Sequence, residues 1–366
     1  MHENISMQEW PDTQLLNLLN IEIPIVQAPM AGADSVALAR AVASTGALGS
    51  LACALLSPEE IRESMFALRE EMARPFNLNF FCHAMEAPDA VAAEKWKSLL
   101  RPHYERLGLD VETVAASRLR MPFDAEACAV VEEVVPEIVS FHFGLPAPTL
   151  VERLKRRGIK ILSSATSVTE ARWLESRGCD AVIAQGLEAG GHRGMFLETS
   201  VSTQTGLFAL LPQIVDAVSV PVIATGGIAD ARGIVAAFAL GASGVQLGTA
   251  YLFCPEAKIS SLYRQALEHV ADNGTALTNL FSGRPARGIR NAFMIESGPL
   301  SEVAPAFPHA ATLVAPLRAA SEKAGSRDYM QMWSGQSASL ARSMSAAELT
   351  RKLAAEALHY LHKGIE

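Results

Sequence analysis

Pro221-Val-Ile-Ala-Thr-Gly-Gly-Ile228 and, one βα unit later, Gly244-Val-Gln-Leu-Gly-Thr249 decide the architecture of this chain. Each is a short apolar run that suits a strand buried on both faces, and each ends in glycine. Such glycines let backbone N–H groups approach an anion closely. Their position along the chain separates two folds. An open doubly wound sheet carries its phosphate glycines after the first strand as G-x-G-x-x-G, whereas a (β/α)8 barrel carries them after the seventh and eighth.

Counting backwards from these two runs finds six more: Ile23 to Ala28, Leu48 to Cys53, Phe76 to Phe81, Ile138 to Phe143, Lys160 to Ala165 and Ala181 to Gln185. Amphipathic segments separate them, with start signals such as Ser57-Pro58-Glu59-Glu60 and stop signals such as Arg157-Gly158. Pro221 to Thr225 and Gly244 to Leu247 are then strands seven and eight. The set is complete at about residue 252, against ~250 residues for a typical barrel. The first run leads into Gln27-Ala-Pro-Met30 and not into a dinucleotide fingerprint.

The expected fold class is therefore α/β: a (β/α)8 TIM barrel with an additional, mostly helical cap near the C-terminal part. Residues 1–254 form the barrel, with a helical excursion at about 82–130. Residues 255–330 form the substrate-side cap. Residues 331–366 carry a helix opened by Ser345-x-x-Glu348 that packs back on the barrel with Leu349, Leu353, Ala357 and Leu361 on one face.

Composition narrows the function classes. With 49% hydrophobic and 19% charged residues the 366-residue chain is globular, and a net charge of −8 offers no footprint for nucleic acid or an acidic membrane. No run is long enough to span a membrane, and Met1 to Gln14 contain no secretory pattern. Five scattered cysteines without a C-x-x-C spacing point to reduced thiols in a cytoplasm. A small molecule is the expected partner.

Barrel enzymes work at the C-terminal ends of their strands, and several of these ends present unusual residues. Gly226 and Gly227 after strand seven, with Gly248 and Thr249 after strand eight, suit a phosphate, either of a flavin mononucleotide or of a phosphorylated substrate. Tight strand–helix packing selects glycine as well, and both explanations stand at this level. Ala28, Pro29 and Met30 form an extended, closely approachable backbone suited to a flat ring. Asn79 offers an amide to a ligand or to the core. His142 alternates away from Phe141 and Phe143 and so points into the barrel, as a catalytic or a core histidine. His192 lies in Gly186-Leu-Glu-Ala-Gly-Gly-His-Arg-Gly194, on a glycine loop above the barrel mouth, where an imidazole titrating near neutrality suits proton transfer. No metal-ligand spacing and no G-x-S-x-G elbow occurs, so no metal site and no nucleophilic triad is expected.

Taken together, Pro24-Ile-Val-Gln-Ala-Pro-Met-Ala-Gly32, Gln185-Gly-Leu-Glu-Ala-Gly-Gly-His-Arg-Gly194, Ala224-Thr-Gly-Gly-Ile228 and Gln246-Leu-Gly-Thr-Ala250 resemble the nitronate monooxygenase family, formerly called 2-nitropropane dioxygenases. Met332-Trp-Ser-Gly-Gln336 is similar to a segment of the same family. The resemblance implies an FMN-dependent barrel that oxidises alkyl nitronates, in some members nitroalkanes, with O2 to a carbonyl compound and nitrite.

It also implies that Gly227, Gln246, Gly248 and Thr249 hold the FMN phosphate region. Asn79, Gln185 and Gly190 would contact the rest of the cofactor, and Ala28 to Met30 would lie beside the ring. His192 corresponds to the family's active-site histidine, and His142 to a second one. The implied mechanism is single-electron transfer from nitronate to FMN, with His192 as base for a neutral nitroalkane or as donor to the nitro oxygens. Some members carry a Tyr-x-x-x-Tyr-x-x-x-Lys pattern in the cap where this chain has Phe307, Ala311 and Ala315, which predicts a more apolar pocket. A homodimer is the oligomeric expectation. The rivals are an FMN barrel that uses NAD(P)H to reduce a quinone or enoyl thioester, and a non-redox phosphosugar-type barrel.

Overall fold

The computed structural model describes residues 9–70, 72–114 and 119–363. The expectations for residues 1–8, for 115–118 within the excursion and for 364–366 lie outside the described residues.

Eight parallel strands form one sheet: β1 (Ile25–Gln27), β2 (Gly49–Ala52), β3 (Phe76–Phe81), β4 (Ile138–His142), β5 (Lys160–Ala165), β6 (Ala181–Gln185) and, beyond a short β7 (Gly191–His192) that belongs elsewhere, β8 (Val222–Thr225) and β9 (Gly244–Leu247). Their order is β1-β9-β8-β6-β5-β4-β3-β2. A parallel bridge between Val26 and Leu48 brings β1 beside β2. Two hydrogen bonds secure it, from Gln27 N to the Leu48 carbonyl at 2.9 Å and from Leu48 N to the Ile25 carbonyl at 3.0 Å. The sheet thus closes into the expected (β/α)8 barrel. Every residue of β1, β2, β3, β6 and β8 is buried, as strands walled by helices must be.

The crossover helix after β2 starts where its capping chemistry says. Ser57 and Glu60 form a reciprocal capping box with Pro58 in the first turn of the helix Pro58–Arg69. Helix Ala346–Lys363 packs on helices Val36–Ala43 and Ala231–Ala239, burying Leu349, Leu353 and Ala357.

Two features depart from the sequence reading. The cap contains a β-hairpin, β10 (Thr275–Thr278) and β11 (Ala286–Ile289), whose second strand pairs antiparallel with β7. Furthermore, helix Ala90–Arg106 of the excursion shares a core with the cap: Trp96, Leu100 and Tyr104 pack with Phe281, Val314 and Leu317. Trp96 Nε1 donates to the Ala310 carbonyl at 3.4 Å and Tyr104 Oη to that of Leu313. Two segments far apart in sequence therefore form one layer over the barrel mouth.

Candidate active site

A cavity of about 590 Å³ opens at the C-terminal end of the barrel, a size suited to a cofactor and a small substrate. The strand ends line it in turn: Ala28, Pro29 and Met30 after β1, Asn79 in β3, His142 in β4, Gln185 in β6. Gly190 and His192, then Gly226 and Gly227 after β8, and Gln246, Gly248 and Thr249 at the end of β9 complete the barrel side. The expected catalytic and cofactor-binding residues thus meet in one place.

The glycines divide into two kinds. A Cβ on Gly190 would lie 2.5 Å from the backbone nitrogen of Gly335, and one on Gly194 2.9 Å from the His142 ring. Gly226 and Gly227 adopt φ of 111° and 72°, and a Cβ on Gly226 would lie 3.0 Å from Ala189 N. Protein crowds these positions, whereas Gly191, beside His192, has open space and needs glycine only for its φ of 74°. Gly248 is different: its φ is −109°, and the nearest atom to a Cβ there, the Ala28 Cβ, is 3.5 Å away. The chain's own packing does not require glycine at this cavity wall.

Beside it, Gln246 Oε1 is buried with no hydrogen-bond partner among the described residues. An acceptor left in that condition costs about 1–3 kcal/mol, so a ligand donor belongs there. Asn79 Nδ2 donates to Ser140 Oγ at 2.9 Å and to its carbonyl at 3.2 Å, which turns the amide oxygen away from that wall. Thr249 Oγ1 accepts from Gly335 N at 2.9 Å, and its own proton stays available. A free acceptor, an uncluttered glycine and a hydroxyl together fit a flavin with a phosphate tail.

His192 is fixed more firmly than a loop would fix it. It lies in β7 opposite Ala286 of β11, and Arg193 N donates to the Pro285 carbonyl at 2.8 Å. Its carbonyl accepts from Gln185 Nε2 at 3.0 Å and from His142 Nε2 at 3.1 Å. Gln185 Oε1 in turn accepts from Gly194 N at 2.7 Å, so this amide is committed to holding the histidine segment. Arg193, completely buried, donates to the carbonyls of Gln185 and Gly186 and to Gln204.

Because a carbonyl can only accept, His142 carries its proton on Nε2, and Nδ1 accepts from Ser164 Oγ. Burial lowers its pKa to about 3. The His192 pKa is likewise driven well below the ordinary value, first by burial and then by Arg120, His142, Arg284 and His83. Desolvation therefore disfavours the charged form of both rings, a shift in the direction opposite to a His192 poised at neutrality. His192 can take a proton, and His142 acts by donating to the His192 backbone.

Phe143, directly after β4, is held at φ 71°, a left-handed conformation that costs a bulky residue about 1–3 kcal/mol. The strain places its ring against Phe81 and Phe307, with the Arg284 guanidinium 4.0 Å above it.

The cap side differs from the apolar lining expected from Phe307, Ala311 and Ala315. Ala311 and Ala315 do face the cavity, but Arg318, one turn further along the helix, and Arg120 from the excursion face it too. Burial, and then Arg318, lower the Arg120 pKa, so the two guanidiniums repel across the site. Glu322, one turn beyond Arg318, lines the same cavity. Trp333 covers the site from the C-terminal segment, its ring 5.5 Å from that of His192. Its motif was visible in the sequence; no local signal distinguished Arg120 and Arg318 from surface arginines.

A closed barrel that directs two histidines and an unpartnered amide oxygen into one mouth defines an enzyme of the (β/α)8 class working at its C-terminal face. The family model described as nitronate monooxygenase matches residues 12–356, and the chain belongs to that family of flavin-dependent oxidoreductases. A nitronate monooxygenase of Paraburkholderia phytofirmans is 43% identical over 93% of this chain and 94% of its own length. The solved nitroalkane oxidase of Streptomyces ansochromogenes superposes with a TM-score of 0.87 at 37% identity, over 95% of this chain and 99% of that one. FabK of Thermotoga maritima is more distant, with a TM-score of 0.70 at 27% identity over 95% and 97% of the two chains.

Proposed function

We propose that this protein oxidises alkyl nitronates with O2 to a carbonyl compound and nitrite, that it accepts neutral nitroalkanes through deprotonation by His192, and that its flavin is FMN. The observation that carries this reading is the His192 ring. It lines the cavity, its Nε2 is held by Ser282, and its Nδ1 has no hydrogen-bond partner among the described residues. When bound, FMN supplies the one-electron oxidation of the substrate carbon and the reaction with oxygen.

Gly226, Gly227, Gly248 and Thr249 would receive its phosphate, with Gln246 Oε1 and Asn79 meeting polar edges and Ala28 to Met30 lying along the ring. Gly190 keeps the Gly335 segment close beside this wall, and Gln185 and His142 hold the His192 carbonyl. Arg120 and Arg318 draw a nitronate anion into the mouth and favour it over a neutral competitor. Phe81, Phe143 and Phe307 keep water from the reacting carbon.

The free cysteines suit a reducing cytoplasm. Among the described residues no helix is long and apolar enough to cross a membrane. Nitrite release from a panel of nitronates, with oxygen consumption followed in parallel, tests the assignment: both rise together if it is right, and absence of nitrite from every nitronate rejects it.

A further inference from the structure

We propose that Ser282 fixes the tautomer of His192, placing the ring proton on Nε2 and leaving Nδ1 as the bare nitrogen available to the cavity. The tautomer stands on geometry alone; its consequence for catalysis rests on the nitronate-oxidising reading above.

Ser282 lies in the connection between β10 and β11, only 1% exposed. The turn that carries it is closely packed. Gly283 adopts φ 86°, a Cβ there would collide with the Pro305 carbonyl, and Gly283 N donates to the Asn279 carbonyl at 2.8 Å. β11 then pairs with β7, so the serine and the histidine are set by one small sheet.

The Ser282 hydroxyl has three polar neighbours: His192 Nε2 at 2.9 Å, the Arg284 carbonyl at 3.3 Å and Arg284 N at 3.4 Å. A hydroxyl holds one proton and two lone pairs. The Arg284 carbonyl can only accept, and no other donor reaches it among the described residues, so the serine proton belongs there. Arg284 N–H and His192 Nε2–H then donate to the two lone pairs. Every group is satisfied, and His192 is left with one free nitrogen. Ser282 touches no reacting atom in this arrangement; it is a positioning residue.

The ¹⁵N spectrum of the holoenzyme carrying labelled histidine, with His192 assigned by comparison with His192→Asn, reads the tautomer directly. The expected native result is a protonated Nε2 and an unprotonated Nδ1. Ser282→Ala should mix or reverse the two forms. It should also lower kcat/KM for a neutral nitroalkane roughly tenfold, while the value for the corresponding nitronate, which needs no base, changes less than about twofold. A proton on Nδ1 in the native enzyme, or an unchanged tautomer in Ser282→Ala, overturns the proposal. If Ser282→Ala fails to fold, the native spectrum still decides. If the native enzyme oxidises no nitronate, the functional reading fails and the tautomer remains readable.

Discussion

The cavity has a barrel side and a cap side, and they differ in how they are built and in what they present. On the barrel side, neighbouring parallel strands stand at fixed register, and their ends deliver amides, small residues and one imidazole: Gln246, Gly248, Asn79 and His142. On the cap side, Arg120 and Arg318 arrive from distant segments joined through the packing of helix Ala90–Arg106 on helix Ala310–Lys323. His192 belongs to neither alone, since its carbonyl is held from the barrel and its strand pairs with the cap hairpin. The rigid face suits a resident cofactor and the assembled face suits a substrate, and mutations in the two should separate accordingly.

The largest separation is expected at the junction. His192→Asn should lower kcat/KM for a neutral nitroalkane by about 10²–10⁴, the usual worth of a general base. The corresponding nitronate should lose far less, and equal losses for the two would remove the base role. Next, Arg120→Ala with Arg318→Ala should cut kcat/KM for nitronates by about tenfold and flatten its salt dependence, since a charged mouth speeds association by 10-fold or more. Flavin content should stay at the native level; a colourless double variant would mean that the cap also holds the cofactor.

The opposite pattern is expected on the barrel side. Gln246→Leu should weaken flavin binding roughly tenfold while leaving the apoprotein as stable or up to about 1 kcal/mol more stable, because an unpaired buried acceptor is removed. A flavin affinity equal to that of the native protein would return Gln246 to a purely structural role.

The smallest effect concerns pH. His142, held at about 3, and His83, held by burial at about 4, are depressed below the unfolded histidine value. The stability they contribute is therefore present above about pH 6.5 and is lost as pH falls towards those values, while the unfolded chain takes up protons that the fold excludes. Asp34, whose burial raises it to about 7, acts in the opposite sense over the same window and offsets part of the loss. Thermal unfolding at pH 7.5 and 5.0 should show a lower midpoint at 5.0, and a replacement of His142 that keeps the fold should shrink the gap. An unchanged midpoint in the native protein would mean that the histidines are open to solvent.

The same contrast explains what was legible in the sequence. The eight barrel strands announce themselves as apolar runs, because a strand covered on both faces needs them along its whole length. Once the strands are counted, their ends can be read off directly, and His142, Gln246 and Gly248 follow. β7 could not be found this way: Gly191 and His192 have no strand character and become a strand only by pairing with β11. The need for glycine at 190 and 194 was hidden as well, since it comes from Gly335 and from the His142 ring, contacts made by chain far away. Arg120 and Arg318 were illegible for the same reason, since their convergence depends on tertiary packing that no local pattern encodes.

Anaerobic mixing of the holoenzyme with a nitronate, and separately with NADH, tests the central claim most directly. The account predicts rapid bleaching of the flavin by the nitronate and none by NADH. Bleaching by NADH with no response to any nitronate would contradict it and make this barrel a reductase.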